Sequence, residues 1–150
     1  MILQFVKYGI CGGVATAIHV AVFFILGWFC LPCLTQDDIV VRLLGLAAPA
    51  VDEARRWLYV LVCSTLGFVV SNVVCWLLNR MFVFTPGRHS KLVEFLLFFS
   101  ASGLSLLIGS GLQTLLIRQF DMQTTIAFAA NIFSSLAVNF AARKLVVFKG

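Results

Sequence analysis

Four long stretches of the chain contain no Asp, Glu, Lys or Arg: residues 8–36, 57–79, 95–117 and 122–142. Charged and turn-forming residues are confined to the intervals between them. Each stretch is long enough for a helix to cross a hydrocarbon core of about 30 Å at about 1.5 Å per residue. In lipid the backbone must satisfy its own hydrogen bonds, so only helices and closed barrels span. Continuous apolar runs of this length lack the alternation of barrel strands. The pattern predicts an all-α membrane protein with four transmembrane helices, TM1 at about 8–31, TM2 at 57–79, TM3 at 95–117 and TM4 at 123–142, in one integral membrane domain over residues 1–150.

The intervals carry their own signals. In the connection 37–56, Asp37-Asp38 is placed to cap a short interfacial helix through IVVRLLGLA. Pro49 suits the first turn of the helix that follows, with Asp52 and Glu53 near its positive end. The interval 84–92 reads as a polar turn around Pro86-Gly87, and 118–123 as a tight turn.

The chain also echoes itself. FVKYGICGGVATAIH (5–19) aligns with FLLFFSASGLSLLIG (95–109) at an offset of 90, Phe5 on Phe95 and Gly13 on Gly103. WLLNRMFVF (76–84) aligns with FAARKLVVF (140–148) at an offset of 64. The expected architecture is two parallel copies of a two-helix hairpin. This differs from the inverted repeats of many rocking transporters.

Composition strengthens the membrane reading: 61% of residues are apolar and 11% charged, about half the charged share of a soluble domain. A signal-like start, Lys7 followed by Ala15-Thr16-Ala17, is outweighed by an apolar run that continues to Leu34. Charge then suggests orientation. Lys7, Arg80, Arg88, Lys91, Arg143, Lys144 and Lys149 fall on one side, and Arg42, Arg55, Arg56 and Arg118 on the other. By the positive-inside rule both termini are expected in the cytoplasm, with the membrane crossed several times. No long basic run or soluble domain points to nucleic acid.

Both echoed segments end in a basic–aromatic signature: Asn79-Arg80 before Phe84, and Arg143-Lys144 before Phe148. Ordinary interfacial anchoring accounts for either copy alone. A phosphate site accounts for both, since Arg and Lys neutralise an anion while Asn supplies amide hydrogen bonds. Polar residues inside the membrane are costly and face protein or water. His19 and Asn72 are candidates for a translocation path, whereas Gln113 and Asn131 read as interhelical hydrogen-bonding groups. Gly9 and Gly13 have the GxxxG spacing that lets helices approach closely. Cys30-Leu31-Pro32-Cys33 reads as two buried residues flanking a helix-ending proline, with a disulfide or redox pair as the alternative. No acid lies inside a predicted span, no His/Cys/acid set has metal-ligand spacing and no carboxylate pair is placed for acid–base chemistry. No enzyme activity, metal or cofactor is expected.

At this point the chain resembles the GtrA-like family of small four-helix membrane proteins linked to polyprenyl-phosphate sugars. The resemblance rests on Phe5, Gly9, Gly12, Thr16 and His19 in the opening segment, on Asn79, Arg80 and Phe84, and on Asn139, Phe140, Arg143, Lys144 and Phe148. It implies movement of a polyprenyl-phosphate-linked sugar, such as a glucosylated undecaprenyl phosphate, to the outer leaflet for O-antigen, cell-wall or other surface polysaccharide. Lys7, Asn79, Arg80, Asn139, Arg143 and Lys144 would then hold the lipid phosphate and head group. His19 stands where relatives often carry an acid, so no carboxylate role transfers to it. A homo-oligomer is expected, because four short helices enclose little volume. Two rivals stand beside this reading. One is a non-transporting subunit that anchors a membrane glycosyltransferase. The other is a cation exporter similar to small multidrug resistance proteins, which rely on a helix-one glutamate missing here.

Overall fold

The computed structural model describes residues 2–83 and 91–146, excluding the side chains of 2–5, 91, 94, 97, 101 and 139–146. Among the described residues five helices form, in the order α1 (Ile2–Phe29), α2 (Ile39–Leu44), α3 (Arg56–Phe82), α4 (Lys91–Phe120) and α5 (Thr124–Val146). No strand occurs among the described residues. Among the described residues three segments are long and apolar enough to cross a membrane: Val6–Phe29, Arg56–Phe82 and Phe98–Phe120. The apolar part of α5, Thr124–Val138, is shorter. The expected turn at 84–92 lies largely outside the described residues.

The helices pack as two hairpins, α1 against α3 and α4 against α5, joined by a lesser contact between α3 and α4. Large apolar side chains point outward, Leu107 and Phe133 each 72% exposed. Such a surface belongs in lipid rather than water. The buried apolar cluster is Phe23, Cys33, Val60, Cys63, Ile117, Ala127 and Phe128, gathered toward the end of the bundle that carries α2. Phe23 and Phe128 stack with centroids 3.7 Å apart.

Close approach between helices depends on two glycines that no motif marks. A Cβ at Gly67 would lie 2.6 Å from His19 Cδ2 and 3.1 Å from the His19 carbonyl. A Cβ at Gly109 would overlap Asn131 Oδ1 and lie 3.0 Å from the Asn131 carbonyl. Gly9 and Gly13, by contrast, have nothing within 4 Å of where a Cβ would sit. Their GxxxG face is turned away from the described part of the chain.

The connection 37–56 departs from expectation in three ways. Asp38 occupies the N-cap position of α2, but its side chain makes no capping bond there. Its carboxylate instead accepts hydrogen bonds from the backbone N–H of Thr125 (3.1 Å) and from Thr125 Oγ1, and so caps α5. The helix α2 is also short, because Gly45 turns left-handed (φ 61°) and closes it. Pro49 does not open α3, which begins at Arg56. Asp52 and Glu53 form the turn before it, pairing with Arg55 and Arg56. Past Pro32 the chain folds back on α1, where Gly27 leaves room for Cys33 Sγ.

Candidate functional site

Three polar zones lie along the bundle. The first is the end at which α1 begins and α3 finishes. His19 meets Gly67 across the antiparallel pair, and three four-residue steps from that contact bring Lys7 level with Asn79. Lys7 is exposed. The Arg80 guanidinium lies over the Trp76 ring at 5.7 Å, a contact worth about 0.5–1 kcal/mol at an exposed site. Asn79 is buried; its Nδ2 donates to the Cys75 carbonyl (2.8 Å) and its Oδ1 has no partner among the described residues. The side chains of Asn139, Arg143 and Lys144 lie outside the described residues, although α5 carries their backbone.

The second zone is interior. Gln113 Oε1 accepts from Ser64 Oγ and from Asn131 Nδ2, both at 2.8 Å, which ties α4 to α3 and to α5. Ser135 Oγ contacts Asn131 Oδ1 (3.3 Å) and donates to the Ser105 carbonyl (3.1 Å). Gln113 and Asn131 therefore do the interhelical bonding their residue types suggest. His19 Nε2 lies 3.1 Å from the Ser64 carbonyl, an arrangement that places the proton on Nε2, and its ring meets Phe128 edge-on. Asn72 is buried on α3 and its Nδ2 lacks a partner among the described residues, as do Ser110 Oγ and Gln113 Nε2. The sequence signal for this zone is the presence of amides in apolar runs. The serines whose hydroxyls complete it, Ser64 and Ser135, give none, because serine is unremarkable in a helix and a partner on another helix cannot be read locally.

The third zone, at the opposite end, has no motif to mark it as a site. By sequence Arg56 is only an outer charge, yet its side chain is 6% exposed. It pairs with Glu53 (2.8 Å) and with Asp121, and NH1 donates to the Met122 carbonyl (3.4 Å). This clamps the start of α3 to the α4–α5 turn, where Asp121 adopts φ 46°. Beside it Arg118 stacks over Trp57 at 4.8 Å.

The CxxC segment divides: Cys33 is buried and Cys30 is exposed, where the sequence pattern leads one to expect both buried. Cys30 protrudes because α1 ends at Phe29, whereas Cys33 folds back into the core. A hydrogen bond with Cys63, then burial, push the Cys33 thiol far above its ordinary value, so its thiolate is not formed at neutral pH. A bulky membrane-impermeant maleimide should therefore label Cys30 and spare Cys33. Labelling that survives Cys30→Ser would contradict this placement.

Comparison with known proteins agrees with this membrane architecture. The chain is 33% identical over 85 residues to the uncharacterized membrane protein YwcD of Bacillus subtilis (strain 168), a match covering 55% of this chain and 67% of that protein. No solved structure matches. The sequence model of the GtrA/DPMS transmembrane domain matches residues 7–148. The chain belongs to the GtrA/DPMS transmembrane domain family.

Proposed function

We propose that this protein moves a polyprenyl-phosphate-linked sugar from the inner to the outer leaflet of a bacterial or archaeal cytoplasmic membrane, for surface glycan synthesis, without catalysing a reaction. The observation that carries this reading is the family match over residues 7–148, which makes the chain a membrane protein of a polyprenyl-phosphate-sugar-related family. The geometry supports it. A lipid-linked anion enters at the interface where Lys7, Asn79 and Arg80 stand at one level, with Asn139, Arg143 and Lys144 supplied by α5. The head group then follows the polar interior past Asn72 and His19 while the tail stays in lipid. A membrane potential negative inside favours outward movement of an anion by about 2.3 kcal/mol per charge per 100 mV.

Four spanning helices in two parallel hairpins, with both termini cytoplasmic, suit this route. Two sets of contacts support the repeat. At offsets of 90 and 64, His19 matches Gly109 and Gly67 matches Asn131, so the tight contact of one hairpin recurs at the equivalent place in the other. By the same offsets the Phe23–Phe128 stack corresponds to the Gln113–Ser64 bond. The outward Gly9–Gly13 face supports a homo-oligomer, since it offers close approach to a second copy.

The test is a vesicle assay with a fluorescent polyprenyl-phosphate sugar. Label hidden in the inner leaflet should become accessible to an impermeant quencher when the protein is present. The variant Arg80→Gln/Lys144→Gln should insert normally yet bind the lipid at least about tenfold more weakly, a loss of ~1.4 kcal/mol. Normal binding in that variant would reduce the basic residues to anchors. Lipid that stays put, with a glycosyltransferase co-purifying, would instead assign the anchoring role.

A further inference from the structure

The clamp around Arg56 borders a cleft of ≈ 460 Å³ lined by Glu53, Arg56, Trp57, Ile117, Arg118 and Asp121. That volume falls within the range of small-molecule sites. We propose that this cleft binds the sugar of the cargo, as a neutral pyranose, at the end of the bundle opposite Arg80. The proposal rests on the translocation reading for its cargo but not for its chemistry.

The lining carries two guanidinium groups and two carboxylates, so it is balanced in charge. Arg56 is already matched by Glu53 and Asp121, which makes the cleft a poor trap for a bare anion. It is instead rich in both donors and acceptors, and a ring of hydroxyls needs both. Trp57 supplies an apolar ring of the kind that packs against the C–H face of a pyranose. Arg118 covers that ring and meets no carboxylate among the described residues. It is exposed, and rotation about its long side chain can carry the guanidinium from the indole to hydrogen-bond a bound hydroxyl. Arg56 cannot move in this way. Buried and held by two acids and a carbonyl, it gives the cleft a fixed wall.

The position also has a consequence for direction. The phosphate-binding chemistry lies at one end of the bundle and a neutral polyol site at the other. A head group that has crossed would be held by its sugar, not by its charge, and so released without breaking a strong ion pair.

The experiment uses the full chain in lipid nanodiscs, free of sugar-based detergent. Methyl glycosides of glucose, galactose and mannose are titrated by saturation-transfer NMR and by tryptophan emission, alongside inorganic phosphate. At least one glycoside should bind saturably. Trp57→Ala should abolish that binding and Arg118→Gln should weaken it about tenfold. Should Trp57→Ala fail to fold, the exposed Arg118 position still decides. No glycoside binding, binding unchanged by Arg118→Gln, or saturable binding of phosphate alone would each overturn the sugar site. Lipid movement that persists without glycoside binding overturns the cleft and leaves the translocation reading standing. Glycoside binding sensitive to both variants, with no lipid movement, does the reverse.

Discussion

Gly109→Ala should lower stability by about 1–3 kcal/mol, while Gly13→Ala should stay within about 0.5 kcal/mol of the parent. The chemical change is the same in both, and both lie in apolar helices. The difference is what the new methyl meets. At Gly13 there is open space. At Gly109 the methyl overlaps Asn131 Oδ1, and it comes to 2.6 Å from Ser135 Oγ and 3.0 Å from the Asn131 carbonyl. A flexible side chain could rotate aside, but Asn131 is tethered through Nδ2 to Gln113. Rotation would break that bond and unbalance Ser64, which shares the same oxygen. The carbonyl belongs to α5 and can retreat only if the helices separate. Each interhelical bond in a membrane is worth only about 0.6 kcal/mol on average. The loss therefore comes chiefly from helix packing. Thermal melting of the two variants in the same lipid reads the contrast directly. Equal melting temperatures would place Gly109 away from the α4–α5 contact.

How much of this was legible beforehand depends on the range of each interaction. The absence of charge over 8–36, 57–79 and 95–117 is a local property, and the bodies of α1, α3 and α4 follow it. Helix ends were less legible. Pro49 and Asp52 have the local character of a helix start, but α3 opens later, where Arg56 can reach the α4–α5 turn across a sequence separation of 65 residues. Arg56 itself shows the limit of charge counting. In a sequence it is one more positive residue beside a span, and its burial follows from Glu53 and Asp121 meeting it in space. The GxxxG pair was legible as a motif but not as a contact. Gly67 and Gly109 carry the close approach because His19 and Asn131 oppose them, and nothing in either glycine's own neighbourhood says so. In the first basic–aromatic signature Arg80 lies over Trp76, one helical turn before it, a contact that spacing within one helix does make legible.

The same distance-dependence makes Asp38 the most informative loop residue. Replacing Asp38 by Ala should cost about 2–4 kcal/mol, more than its loop position would suggest, through loss of a helix cap and two stranded donors. Asp38 is fully buried. Its two oxygens take the Thr125 backbone N–H and the Thr125 hydroxyl, at the first turn of α5. Alanine leaves both groups facing a space too enclosed for water to replace the carboxylate freely. Asn is different. Its Oδ1 can still accept the Thr125 N–H, and its Nδ2 can donate to Thr125 Oγ1, because a hydroxyl both gives and receives. What Asn loses is charge at the positive end of α5, about 0.3–1 kcal/mol. The ordering wild type, Asn, Ala is thus a prediction about hydrogen-bond capacity as well as charge. Thr124 Oγ1 donates to the Cys33 carbonyl (2.6 Å), a second tie between the same two segments. Thr124→Val should therefore add to the loss in the Asp38→Ala background by less than it costs alone if the two ties hold one interface, since a connection already released has less to lose. Melting temperatures of the wild type, Asp38→Asn, Asp38→Ala, Thr124→Val and the Asp38→Ala/Thr124→Val double variant in one lipid test this, and equal losses for Asp38→Asn and Asp38→Ala would mean that charge, not the cap geometry, fastens the connection to α5.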